Sequence, residues 1–559
     1  MINEHLYEIL ENEKKRIRKS YPSNDVEFVV IEIIRSLDYL MFMLKHDFEI
    51  PQKDWLIEKY RFGWGVAFSI FYEDYNSNNL IPAILFDPET RKWLDNIIQH
   101  AGKVEISSHF LMYCKAGLMQ LSQLSEKEFA FTYTIDEPAE YYEKLSLEYF
   151  FYIAQGIYKD RLSKFMERLP AVREQLKEIV TIHFEKFISY KATSEIDDFY
   201  SEYGRIYLLT TQIIDDFDES DVFGGIAYKE YLDFAEDVIM AAAMHRDCCM
   251  ALAEKTNHQV YLRNILTYTF SKDAFIKNYS ESRGIPEDKV LQIVSCFTIN
   301  KENFQQHLSY PGAPCSPFFE LANNILMRSS HGCLDMPVFF LNRELKKRYQ
   351  KDYFNAVNNR EARFKKQLYS LFPDRILKIH ENIVVKIDNK STDIDAIIFD
   401  PERKVLGLFQ LKWQDAFSTS MQERFSRISN LIPKSVEWIE KIEAWIKANN
   451  AKSILEKLKI SNSDYSGYDI YLFVISRNHV HFSNQSLDKR AVWASWYQVI
   501  EASAKVKDPL QSNPIGEFAA KLRFFSPEMR NKVEGGQFIH DFDYKVAQTN
   551  ISIRRMNSR

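Results

Sequence analysis

The segment Asp393 to Trp413, DIDAIIFDPERKVLGLFQLKW, sets an aspartate at the head of one β-like run and Gln-Leu-Lys at the foot of the next. The polar turn DPERK joins the runs, so an antiparallel ladder brings Asp395 close to Gln410 and Lys412. Side chains two apart in a strand share a face, so Gln410 and Lys412 point one way while Phe409, Leu411 and Trp413 point the other. By the same rule Asp393 and Asp395 share a face with Ile397 and Phe399, which puts a carboxylate on a face suited to burial. A buried charge is costly unless it is paired or coordinates a metal. Something should therefore compensate Asp395, and an amide oxygen and an ammonium stand within its reach. The plainer alternative is a cross-strand ion pair between Asp395 and Lys412, with Gln410 a satisfied edge residue.

The flanking elements decide whether these groups converge. In NREARFKKQLYSLF the apolar positions Phe364, Leu368 and Leu371 fall at i, i+4 and i+7, and Glu361, three residues earlier, is expected to point inward from the first turn of that helix. After it come ILKIHENIVVKI, TDIDAIIFD and KVLGLFQLKW, a long charged-apolar stretch from Thr419 to about Leu458, then YDIYLFVIS and RAVWASWYQVI. The order helix, three strands, helix, strand, then strand or helix reads as a small α/β unit. Arg424, Arg427 and Lys434 on the long helix are candidate phosphate contacts, set against the commoner solvated basic face. Trp413, Phe417 and Trp438 offer stacking surfaces, with core packing the stronger expectation.

The helix glutamate, the aspartate of TDIDAII and the QLK fifteen residues later resemble the PD-(D/E)XK, or restriction-endonuclease-like, nuclease superfamily. The variant it resembles begins its third motif with glutamine, as in Mrr-type restriction enzymes, and the likeness spans roughly Asn355 to Glu501. It implies a mixed central sheet flanked by helices. It implies Asp395 as the metal-bridging carboxylate, Gln410 as a ligand through its side-chain oxygen and Leu411 as one through its carbonyl. Lys412 would be the catalytic lysine, Glu361 the accessory helix acid, and Mg2+ or Mn2+ the ion. Glutamine in place of glutamate keeps an oxygen ligand but removes a negative charge, so metal affinity should fall.

The 559 residues, 46% apolar and 27% charged, have ordinary globular composition for two to four domains. The longest apolar run, Val238 to Met244, is far too short to cross a bilayer, and the charged start carries no evident signal peptide. Six cysteines without a CxxC pair make a disulfide framework or structural zinc site improbable and a reducing cytoplasm the default. Residues 351–559 carry +8 and residues 1–350 carry −14, together the net −6, so only the C-terminal part is suited to a polyanion. Sixteen glycines favour long helices, and Ile196, Phe199, Tyr203, Ile206, Leu209 and Ile213 form one helical stripe. His479 and His481 read as surface histidines, and His245 with Cys248 and Cys249 as core packing. P-loop, dinucleotide, zincin and α/β-hydrolase signatures do not occur.

The expected architecture is α+β overall: an all-α region over residues 1–345 for regulation, recognition or homo-oligomerisation, and a restriction-endonuclease-like α/β domain over 346–559 with a C-terminal extension. The expected activity is metal-dependent hydrolysis of DNA, with no membrane, in a bacterial restriction or anti-phage effector acting as a homodimer or higher homo-oligomer. The competing expectation is a catalytically silent nuclease-like module that binds nucleic acid or protein on a helical scaffold.

Overall fold

The computed structural model describes residues 2–19, 26–45, 52–75, 88–134, 141–183, 186–322, 324–387, 390–416, 419–461, 467–505, 513–532 and 541–555. The N-terminal region is built on long helices, as the scarcity of glycine leads one to expect. At its centre the helix Tyr228–Lys255 buries Tyr231, Ala235, Ile239, Ala242 and Cys249. The expected stripe forms the helix Ser194–Thr211, whose N-cap Thr193 side chain accepts a bond from the Ile196 amide. The helices Lys53–Asp74 and Pro88–Lys115 cross at Gly63 and Gly102, where a Cβ on either would collide with the other's backbone.

Residues 1–345 are not all helical. Tyr268–Ser271, Ile325–Arg328, Phe318–Ala322 and Thr298–Ile299 form a four-stranded sheet in that order, and Met119–Ser125 pairs with Glu128–Tyr133. Strands of two to seven residues show too few alternations to stand out from the helical pattern around them. The chain's last strands, Phe542–Val546 and Thr549–Arg554, return to this region, the latter pairing in parallel with Glu128–Tyr133.

Helix α1 (Pro337–Arg348), whose Val338, Leu341 and Leu345 are buried in the core of the N-terminal region, leads into α2 (Gln350–Ser370), the first helix of the C-terminal unit. Strands β1 (Leu377–Ile379), β2 (Ile383–Ile387), β3 (Lys390–Ile394), β4 (Ala396–Asp400) and β5 (Val405–Lys412) follow, then helices α3 (Met421–Ala448) and α4 (Ala451–Lys457). Strand β6 (Asp469–Ser476), strand β7 (Val492–Ser495) and helices α5 (Trp496–Ala504) and α6 (Pro514–Lys532) complete it. The five-stranded sheet has the order β1-β4-β5-β6-β7. Its first three strands are antiparallel, and β5-β6 and β6-β7 are parallel, the α3–α4 crossover joining the first parallel pair. Strands β2 and β3 form a separate hairpin.

Alternation along β5 divides the core. Phe409 and Leu411 pack with Phe364, Leu368 and Phe518 on the α2/α6 side, while Leu406 and Leu408 pack with Leu431, Trp438 and Ile442 of α3 on the other. The N-terminal half of α2 belongs to a third cluster: Tyr353 and Ala356 are buried in the core of the N-terminal region. One helix is therefore shared by both cores.

Candidate active site

Strand β5 continues its α3-facing side from Leu408 to Gln410 and Lys412, where apolar side chains give way to polar ones. Gln410 is 4% exposed. Asp395 occupies the bend between β3 and β4, and its amide donates to the Phe409 carbonyl at 3.1 Å, so it lies one ladder step beyond the Ala396–Phe409 pair and faces Gln410. The expected juxtaposition is present. Asp395 Oδ2 accepts hydrogen bonds from Gln410 Nε2 and, at 2.7 Å, from the Leu411 amide.

Asp395 is half-buried, and the pKa of its carboxyl is pushed up to about 6, chiefly by desolvation. The Leu411 amide and the Lys412 charge oppose that rise, the nearby Asp393 charge adds to it, and the Gln410 amide again opposes it. Asp393 is exposed at the end of β3, with its carbonyl accepting from Trp438 Nε1 at 2.8 Å. The Lys412 carbonyl accepts from the Arg477 amide at 2.8 Å, tying the ends of β5 and β6.

Glu361 does not point inward. Helix α2 starts at Gln350, so Glu361 sits in its middle rather than its first turn, and it is exposed. The buried line runs through Arg360, Phe364 and Leu368 at i, i+4 and i+8, leaving Glu361 about 100° around the helix from Arg360. The group that α2 does bring toward the site is Lys365. Its Nζ donates to the carbonyls of His380 at 3.1 Å and Glu381 at 3.3 Å. Burial lowers the Lys365 pKa, and the charges of Asp395 and then Glu381 oppose that drop. Lys365 is one turn from Tyr369, whose hydroxyl donates to the Ile379 carbonyl and accepts from the Ile397 amide at 3.0 Å. The stripe that ties α2 to β1 and β4 thus carries Lys365.

The candidate phosphate contacts are otherwise engaged. Arg424 is buried, donating to Glu143 Oε1 at 2.6 Å and to the Ser483 carbonyl at 2.7 Å. A cation with those bonds joins α3 to the helix Tyr141–Ile157 and is not a surface ligand. Arg427 Nε donates to the Asp415 carbonyl at 2.8 Å. Lys434 alone of the three is exposed, bonding Asn430 Oδ1 at 2.8 Å. Trp438 is core, Phe417 lies outside the described residues, and Trp413 stands among the guanidinium groups of Arg363 at 4.5 Å, Arg477 at 4.6 Å and Arg360 at 5.7 Å. His479 and His481 are not surface histidines: burial lowers both pKa values to about 4. His245 is core, bonded to Tyr190 and to the Ile265 carbonyl.

Among the described residues no three His, Cys, Asp or Glu side chains gather as a metal-ligand cluster. The donors at Asp395 instead comprise one carboxylate, one side-chain amide and main chain. A half-buried carboxyl whose pKa is raised by desolvation is an anion short of compensating charge, which fits a hard cation that keeps most of its waters. One carboxylate implies weak binding. No family profile, no curated protein and no solved structure matches this chain.

Proposed function

We propose that the protein is a metal-dependent nuclease that hydrolyses phosphodiester bonds in DNA, its C-terminal unit having the restriction-endonuclease-like fold. The observation that carries the reading is the half-buried Asp395 carboxyl, bonded by Gln410 and the Leu411 amide and influenced by the Lys412 charge at the polar end of an otherwise apolar strand face. The helix–three-strand–helix–strand order with its mixed sheet supports the fold. A part in bacterial restriction or anti-phage defence, and homo-oligomerisation through the N-terminal region, rest on the resemblance alone.

Asp395, the Gln410 side-chain oxygen and the Leu411 carbonyl would hold the ion, which when bound would acidify a water and offset charge on the attacked phosphate. Lys412 supplies a compact ammonium that orients the attacking water or balances the phosphate's developing charge. Lys365 adds a second ammonium from the helix side, where the resemblance called for an acid. The exposure of Glu361 and the single carboxylate favour a second reading, a silent nuclease-like module that binds without cutting.

The two separate in one experiment. Purified protein is incubated with plasmid, linear duplex, single-stranded DNA and RNA in Mg2+, Mn2+ or EDTA, beside Asp395→Ala and Lys412→Ala. The hydrolase reading expects cutting of DNA that needs the ion and vanishes in both variants. Cutting that survives both substitutions refutes the site, and retained binding without any cutting favours the silent module.

A further inference from the structure

Strands β5 and β6 end together. Lys412, the last residue of β5, is in register with Ser476, the last of β6, and the final rung of their ladder is the 2.8 Å bond from the Arg477 amide to the Lys412 carbonyl. Beyond it the two chains part, and an end rung frays unless something pins it. Among the described residues the Lys412 ammonium has no hydrogen bond or ion pair, so its place is set by its own backbone. The pin is the Arg477 side chain. It is 3% exposed, and its guanidinium lies over the rings of Trp413 at 4.6 Å, Trp496 at 5.1 Å and Phe364 at 5.6 Å. Trp413 follows Lys412 in the chain, so Arg477 holds Lys412 twice, its amide on the carbonyl and its guanidinium against the next side chain.

Among the described residues that guanidinium has two acceptors. Gln367 Oε1 of α2 accepts from Nη1 at 2.8 Å and Asp215 Oδ2 accepts from Nη2, while Nε has no acceptor. Asp215 is its one carboxylate, and it comes from outside the C-terminal unit. It sits in the connection between the helices Ser194–Thr211 and Tyr228–Lys255, which Phe217 roots in the core of the N-terminal region. Arg363 of α2 clasps the same connection, donating to the carbonyls of Asp215 at 2.9 Å and Asp216 at 3.0 Å. The Asp215 side chain is 35% exposed, so the carboxylate meets the buried cation from the solvent side.

The choice of residue carries the argument. A methionine at 477 would fill the space among the three rings and hold the last rung whatever the N-terminal region did. An arginine holds it only while a carboxylate is supplied, because a buried guanidinium that loses its counter-charge moves to water and draws its own backbone with it. Buried ion pairs contribute little net stability, and their best-attested use is to select one register or state over another. We propose that Arg477 is a positioning residue for Lys412 and that Asp215 makes its hold conditional on the N-terminal region. A shift of the helix Ser194–Thr211 that withdraws Asp215 releases the end of β5 and moves the ammonium away from Asp395. The consequence for cleavage rests on the nuclease reading of Lys412; the chain of contacts from Asp215 to Lys412 does not.

The test is competitive labelling of the full-length protein with an amine-reactive reagent in EDTA, read lysine by lysine by mass spectrometry. Lys59, half-buried on the helix Lys53–Asp74, is the internal reference. Asp215→Asn should raise the Lys412 rate relative to Lys59 by at least about threefold, since the buried guanidinium is left without its partner. Asp215→Asn combined with Arg477→Met should return that ratio to the wild-type value, which a merely structural role for Asp215 would not do. Where Asp215→Asn alone does not fold, the double variant decides, because it should fold and label Lys412 as wild type does. Three results overturn the proposal: a Lys412 to Lys59 ratio unchanged in Asp215→Asn, a ratio that stays raised in the double variant, or a double variant that does not fold. The labelling needs neither DNA nor an ion, so absence of cleavage in other assays counts against the nuclease reading and leaves this contact standing.

Discussion

Asp395→Asn should make the metal-free protein more stable at pH 8. In the folded chain the carboxyl has its pKa raised from 3.8 to about 6, so above that pH the fold holds an anion it disfavours. A rise of that size costs the fold ~3 kcal/mol, fully present above pH 6, shrinking as pH falls toward 3.8 and absent below it. Asparagine keeps an oxygen for the Leu411 amide and carries no charge, so it removes the penalty. The assay is urea unfolding of wild type and variant across pH 4 to 8 in EDTA, read as the difference between the two so that all other titrating groups cancel. The gap in favour of the variant should be largest at pH 8 and should close toward pH 4. Mg2+ should nearly close the gap by stabilising wild type alone, by ~2.7 kcal/mol at about 100 times its dissociation constant. A variant no more stable than wild type at pH 8, or a gap that does not change with pH, refutes the claim that this carboxylate is held against its preference. Equal stabilisation of both proteins by Mg2+ puts the ion elsewhere.

Three further outcomes follow from the packing. Asp415→Ala leaves Arg360 buried without its carboxylate partner and should destabilise by about 3 to 5 kcal/mol in urea unfolding, whereas Lys434→Ala, at an exposed position, should be near neutral. His479 and His481 are held neutral by burial, with pKa values lowered from 6.5 to about 4, so their contribution is lost as pH falls from 6.5 through 4; His479→Gln with His481→Gln should flatten that part of the stability profile. Gly102→Ala sets a Cβ against the Lys59 carbonyl and should cost about 3 kcal/mol, seen as a lowered thermal midpoint, while Gly156→Ala, with open space around it, should not lower the midpoint.

The central strands are readable because β4 and β5 are apolar and joined by a short polar turn, and the face shared by Gln410 and Lys412 follows from period two. Glu361 departs from expectation for a definable reason. Its helix begins eleven residues earlier, at Gln350, and Tyr353, Ala356 and Val357 at i, i+3 and i+4 continue the stripe of Phe364 and Leu368 back past Glu361, a signal of the earlier start that the shorter window NREARFKKQLYSLF leaves out. Tyr353 and Ala356 are buried against the N-terminal region, a contact no local pattern contains. Arg424 departs similarly: its partner Glu143 lies 281 residues away, and a buried arginine and a solvated one look alike in a helix.

By itself the amino-acid sequence determined the local features: which runs alternate, where turns fall, and that an acid must stand opposite an amide. Tertiary structure decided which charges are spent on holding the fold and which remain for a ligand. It bound Arg424 to Glu143 and Arg360 to Asp415, left Glu361 in solvent, and brought Lys365 within the influence of Asp395. The reason is that a charged side chain's role depends on its partner and its exposure to water, and both are fixed by segments tens to hundreds of residues apart, beyond the reach of any periodicity.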